Sequence, residues 1–436
     1  MRGMKGLGAV VVPLCALLFA CTEEPAGIAP DPLQPAFARK GGGGGGDMPA
    51  GAALLGQRLF EDRGLSVNGN QSCQTCHEPS EGFAAALTGV TTKGSVVEGS
   101  VSGRFGDRKP PSAAYATLAP VLSGTGNSTT GGVFWDGRAT GAVLGNPAAD
   151  QALGPFLNPK EQAFRDEACV VYRVRQSVYL ATYSSVWGDD LTTIAFPKTT
   201  GEDCALPGGV GVPKLDLAAA VRDRVTTAYY NIARSIQAHE ATFNKFSSRF
   251  DAGELTPQEL EGSQLFGGKA KCQQCHSNKG TNALFTDFKY HNLGVPKNPQ
   301  NPVYDYSTAE FDKGLGGVND VSTLFGRFRT PTIRNTGMGA NRTYMHNGVL
   351  TSLKQVVDFY NTRDVLRTCS ASEIKTLQPA QYGSYDPDGA GPLTAAGCWP
   401  PAEHNRNLDT KNMGNLGLSE AQVDAIVAYM MAMNDR

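Results

Sequence analysis

Apolar residues recur at helical spacing along much of this chain, and polar start signals mark where several of the runs begin. Val423, Ile426, Val427, Met430 and Met433 form one stripe behind Ser419 and Gln422, which have the spacing of a capping box. A second box, Thr256 to Glu259 with Pro257 at the first helical position, predicts a helix through Leu265 and Phe266. Gly56, Leu59 and Phe60 predict an equivalent helix near the start of the folded chain. Between them a long helical pattern runs from Leu215 to Phe246, with Val221, Val225, Ile232, Ile236, Phe243 and Phe246 near one face. His239 lies on or beside that face, where a histidine is more often part of the core than a ligand.

The ends read differently. Arg2 and Lys5 precede an apolar run from Ala9 to Ala20, too short to span a membrane and proportioned like a secretory signal peptide over residues 1–20. Leu18-Phe19-Ala20-Cys21 resembles a lipobox, so Cys21 is expected to carry a lipid anchoring the chain at the outer membrane, with plain secretion as the alternative. Residues 21–47, rich in Pro and ending in the run Gly41 to Gly46, are expected to be a disordered tether. The chain has 436 residues and a net charge of −2, which argues against a nucleic-acid binder. With 52 glycines and 26 prolines it is also loop-rich.

Two short segments carry the chemistry. Cys73-Gln-Thr-Cys76-His77 and Cys272-Gln-Gln-Cys275-His276 are both C-x-x-C-H, the pattern for covalent attachment of haem c. Two thiols at that spacing reach two vinyl groups of one porphyrin, and the adjoining histidine becomes an iron ligand. The rival reading, one structural zinc held by four cysteines, gives no reason for a histidine after each pair. The preceding segments repeat as well, Gly56 to Phe60 and Gly262 to Phe266. The duplication implies a mainly α fold of two cytochrome c-like helical domains with long loops and insertions, 48–250 and 251–436. In an oxidising compartment Cys169, Cys204, Cys369 and Cys398 are expected to pair. Three connectivities are open; local pairing, Cys169 with Cys204 and Cys369 with Cys398, closes one loop in each insertion.

No histidine occurs between His77 and His239, so the first haem lacks a nearby histidine as its sixth ligand. Four further segments now carry a resemblance: Phe134-Trp135-Asp136-Gly137-Arg138, Gln151 to Glu161, Arg329-Thr-Pro-Thr-Ile-Arg334-Asn335, and Tyr344-Met345-His346-Asn347-Gly348. Together with both haem motifs, in order, they resemble the bacterial dihaem cytochrome c peroxidase and MauG family over most of the chain.

The resemblance implies that Gln151 and Glu161 stand over the open haem, with Pro155 shaping the pocket between them. Glu161 would move the proton that cleavage of an O–O bond requires. It implies that Trp135 lies between the haems as a path for an electron or a hole. The residue fourteen positions beyond His346 is Tyr360, expected as sixth ligand of the second haem in the manner of the MauG-like branch, with Met345 as the competing ligand. The family's calcium site would draw on Asn341 and Thr343, but Lys109 stands where an asparagine ligand is expected, and an ammonium repels a cation. His291 matches a segment near the second haem. The implied activity is reduction of hydrogen peroxide with electrons from a periplasmic cytochrome c or cupredoxin. The alternatives are peroxide-dependent oxidation of Trp or Tyr in a partner protein, as in MauG, and a non-catalytic dihaem electron carrier.

Overall fold

The predicted stripes become packed helices. The computed structural model describes residues 48–436 apart from 86–89, 279–281, 307–310, 319, 340–341 and 384–395. The signal segment, Cys21 and the tether lie outside the described residues, as does Asn341. Among the described residues no helix is long and apolar enough to cross a membrane.

The helices that position the site are α1 (Ala52–Glu61), α2 (Cys73–Cys76), α3 (Pro147–Ala152), α4 (Gly154–Leu157), α5 (Glu167–Arg175), α6 (Ala219–Glu240), α7 (Pro257–Gly267), α8 (Leu353–Thr362) and α9 (Glu420–Met431). The expected capping boxes are formed at α7 by Thr256 and Glu259 and at α9 by Ser419 and Gln422. The long pattern is helical over a shorter span than expected. It starts after Ala218 and ends at Glu240 in a 3-10 turn, Ala241–Phe243, and Phe246 lies beyond it in a left-handed conformation, φ 48°.

One large core gathers Leu55, Leu59 and Phe60 of α1 with Val225, Ile232 and Ile236 of α6. A second gathers Phe266 of α7 with Val423, Ile426 and Met430 of α9. The repeated glycines explain why both pairs cross so closely. A Cβ on Gly56 would stand 1.8 Å from the Ser235 carbonyl oxygen on α6, and one on Gly262 would stand 2.0 Å from that of Ala425 on α9. Neither backbone has room to yield, so only glycine permits the crossing.

Strands are few and short. β1 (Thr92–Lys93) pairs antiparallel with β2 (Val96–Val97), β3 (Tyr290–His291) antiparallel with β4 (Phe328–Arg329), and β5 (Arg367–Thr368) parallel with β6 (Cys398–Trp399). Cys169 is bonded to Cys204 and Cys369 to Cys398, the local pairing among the three possibilities. The bridges span 35 and 29 residues, and loops of that size gain roughly 3–4 kcal/mol from closure in the chain-entropy picture.

The two halves meet along a polar seam. Arg108 forms 2.6 Å ion pairs with Asp136 of the first half and Asp312 of the second. The Ser95 hydroxyl donates to the Gly348 carbonyl at 2.9 Å, and Tyr290 donates its hydroxyl to the Gly131 carbonyl at 2.7 Å.

Gly262→Ala is expected to destabilise the protein by about 1–3 kcal/mol or more, because backbone rather than a flexible side chain occupies the space. Thermal unfolding followed by circular dichroism measures this, and an unchanged midpoint contradicts the close crossing.

Candidate active site

Two cavities hold the two motifs. Cys73, Cys76 and His77 line the first; Cys272, Cys275 and His276 line the second. The four thiols are not in disulfides, although each pair has close sequence spacing. Because the pairs open into different cavities, they do not form a single zinc site.

The same local device orients each histidine. The Nδ1 of His77 lies 3.1 Å from the Phe83 carbonyl oxygen, and the Nδ1 of His276 lies 2.8 Å from that of Phe285. Each ring therefore donates from Nδ1 and leaves Nε2 as the free lone pair. Phe83 and Phe285 both adopt left-handed backbone, φ 58° and 52°, a strained state for bulky residues held at a functional turn. Burial pushes both imidazoles below the ordinary histidine range, which keeps them neutral and able to bind a metal.

The first cavity carries Gln151, Pro155 and Glu161. Asn146 caps α3, accepting from the Ala148 N–H at 2.9 Å, with Pro147 at the first helical position. That short helix brings Gln151 to the cavity, α4 brings Pro155, and the turn after it brings Glu161, whose N–H donates to the Asn158 carbonyl at 3.0 Å. Glu161 faces Cys76: burial pushes that thiol up to about 12, and the Glu161 charge adds to the rise.

Trp135 lines both cavities. Its indole N–H donates to the Lys109 carbonyl at 2.7 Å, and its own carbonyl accepts from the Arg329 N–H at 2.8 Å. The Lys109 N–H in turn donates to the His346 carbonyl at 2.8 Å. Beside it, Arg138 lies 3.7 Å over the Phe134 ring. Burial opposes ionisation of Asp136, but Arg138 and Arg108 hold its carboxyl well below the usual range.

In the second cavity Tyr360 of α8 and Met345 are both present as lining residues, with Met345 in left-handed backbone at φ 72°. Buried Met413 and Met430 line it too, and neither has a sequence motif to signal it. Burial raises the Tyr360 phenol above the ordinary tyrosine range, so its phenolate needs a cation in the cavity. His291 lies 3.6 Å from the Cys275 sulfur and 3.5 Å from Asp287. Thr343 also lines this cavity, its hydroxyl oxygen buried without a partner among the described residues.

Lys109 and Arg329 line both cavities, and neither forms an ion pair among the described residues. Burial, with Arg342 nearby and Glu81 opposing, brings the Lys109 ammonium down to about 8. Cations without an ion-pair partner among the described residues suit a group that brings its own carboxylates, as porphyrin does. Free thiol pairs, oriented imidazoles and these cations thus fit a covalently attached haem in each cavity. The role of Arg329 was not legible in sequence, where it reads only as the first residue of a motif.

Comparison with known proteins agrees with this arrangement. Residues 50–256 match the family model for di-haem cytochrome c peroxidase. The chain is 31% identical to the methylamine utilization protein MauG of Paracoccus denitrificans over 88% of each chain. It is 26% identical to cytochrome c551 peroxidase of Nitrosomonas europaea, covering 84% of this chain and 89% of the relative. The diheme peroxidase BthA of Burkholderia thailandensis superposes with a TM-score of 0.65 at 26% identity, covering 89% of this chain and 87% of that one. Sequence, cavity chemistry and fold therefore agree: the chain belongs to the di-haem cytochrome c peroxidase and MauG family.

Proposed function

We propose that this protein reduces hydrogen peroxide in the cavity of His77, using electrons that reach it from the cavity of His276. The observation that carries the reading is the asymmetry of the two cavities: Gln151, Pro155 and Glu161 line the first alone, while Trp135 lines both. Haem, when attached, supplies a metal that binds an oxygen ligand and exchanges single electrons. Glu161 would hold the proton that peroxide gives up and return it as the O–O bond breaks, which requires a carboxylate at the cavity wall. Gln151 orients the ligand by hydrogen bonding, and Pro155 restricts the space. Trp135, held at both its indole N–H and its carbonyl, is the path for an electron or a hole between the cavities. Tyr360 is assigned as the oxygen ligand of the second haem, with Met345 as the rival sulfur ligand.

The electrons come from a small periplasmic cytochrome c or cupredoxin. A second reading, oxidation of Trp or Tyr side chains in a partner protein, is favoured by Tyr360 and by the similarity to a methylamine utilization protein MauG. Export to the periplasm with a lipid on Cys21 remains part of the proposal. A calcium ion is not included: the Lys109 ammonium at the junction repels a divalent cation.

Glu161→Gln is expected to lower kcat/KM for peroxide by about 10²–10⁴-fold while both haems stay attached. Stopped-flow turnover and a haem count per chain test this together, and near-normal turnover removes Glu161 from the proton step. The oxidised holoprotein should show one high-spin signal in electron paramagnetic resonance, abolished by cyanide; two low-spin signals and indifference to peroxide would identify an electron carrier instead. Incubation with a chelator and dialysis should leave peroxide turnover unchanged, whereas a loss restored by calcium would reinstate that ion.

A further inference from the structure

A second carboxyl shares the first cavity. Glu240 is the last residue of α6, is 4% exposed, and lines the cavity on the Cys73 side. Its Oε2 is buried without a hydrogen-bond partner among the described residues. A helix C-terminus carries partial negative charge and so disfavours a carboxylate there. A neutral carboxyl is the consistent state of such a group, and burial by itself pushes this one up to about 8.

Among the described residues burial is the cause of the rise. The other charged groups that line the cavity are Asp107, Arg108, Lys109, Asp136, Arg138, Lys160, Glu161, Asp312, Lys313 and Arg329. None of them contributes to the rise. The Cys73 thiol senses the Glu240 charge, and His77 does not. The carboxyl therefore shares the cavity with the attachment point of the group and acts on it electrostatically.

We infer that Glu240 is a redox-linked proton site of the first cavity, taking up one proton from solvent when one electron enters from the donor and releasing it when that electron leaves. This rests on the proposed attachment of haem at Cys73 and Cys76 and concerns its potential rather than the cleavage of peroxide. The balance is simple. One electron adds a negative charge to the cavity, one proton on the Glu240 carboxylate cancels it, and oxidation returns both. An unpaired carboxylate favours the more positive, oxidised metal, and a carboxylic acid does not. The value of about 8 belongs to a cavity that carries no added charge; the more positive oxidised metal lowers it, so the midpoint potential should fall as pH rises between that lowered value and about pH 8, and flatten above about pH 8.

Spectroelectrochemical titration of the holoprotein between about pH 5 and 9 tests this. The wild type should lose up to about tenfold in the reduction equilibrium of the first haem per pH unit, about 59 mV for one electron. Glu240→Gln should abolish the slope and match the wild type only at low pH, while Glu240→Asp and Glu161→Gln should keep it. A slope retained in Glu240→Gln, or lost in Glu161→Gln alone, overturns the assignment. If Glu240→Gln does not fold, the reduced-minus-oxidised infrared spectrum of the wild type decides, since absence of a protonated-carboxyl band overturns it as well. Haem content and peroxide turnover of the wild type report separately on the site: with both intact, a flat titration rejects the role of Glu240 alone.

Discussion

The backbone of Lys109 joins the two halves of the site. Its carbonyl accepts the indole N–H of Trp135 at 2.7 Å, and its N–H donates to the carbonyl of His346 at 2.8 Å. One backbone unit thus fixes the aromatic ring shared by both cavities against the second half of the chain. Buried backbone groups without partners cost roughly 1–3 kcal/mol each, so the arrangement resists sliding of one half over the other. The partly buried Arg108, paired with buried Asp136 and Asp312, reinforces the same junction. Breaking one partner of such a network leaves a charge uncompensated, which is more costly than the network's net gain in stability.

Around this seam the molecule repeats one construction with two outcomes. In each half a glycine lets two helices cross at backbone contact, and a left-handed phenylalanine turns its carbonyl toward the ring nitrogen of the histidine. What differs is the wall opposite. The first cavity has Gln151, Glu161 and Glu240, whereas the second has Tyr360, Met345, Met413 and Met430 beside its own carboxyl groups, Glu403 and Asp409. A carboxyl group can hold or move a proton, and phenol and thioether groups can ligate a metal. The division of labour proposed for the halves rests on Gln151 and Glu161 lining the first cavity alone and Tyr360 and Met345 the second alone.

Sequence was sufficient wherever the determining interaction is local. Attachment motifs are contiguous, and the caps at Thr256 and Ser419 are hydrogen bonds across three residues, so both were legible in the chain alone. The repeat Gly56 to Phe60 and Gly262 to Phe266 could also be read there, although not the backbone contact that requires each glycine. Only the tertiary structure decided which side chains face which cavity, because those contacts join residues far apart in the chain. It chose the pairing of Cys169 with Cys204 and of Cys369 with Cys398 from three possibilities. It placed Lys109 and Arg329 at both cavities and Glu240 in one of them. No short-range pattern distinguishes a buried, unpaired glutamate at a helix end from a solvated one, since burial is set by what packs across from it.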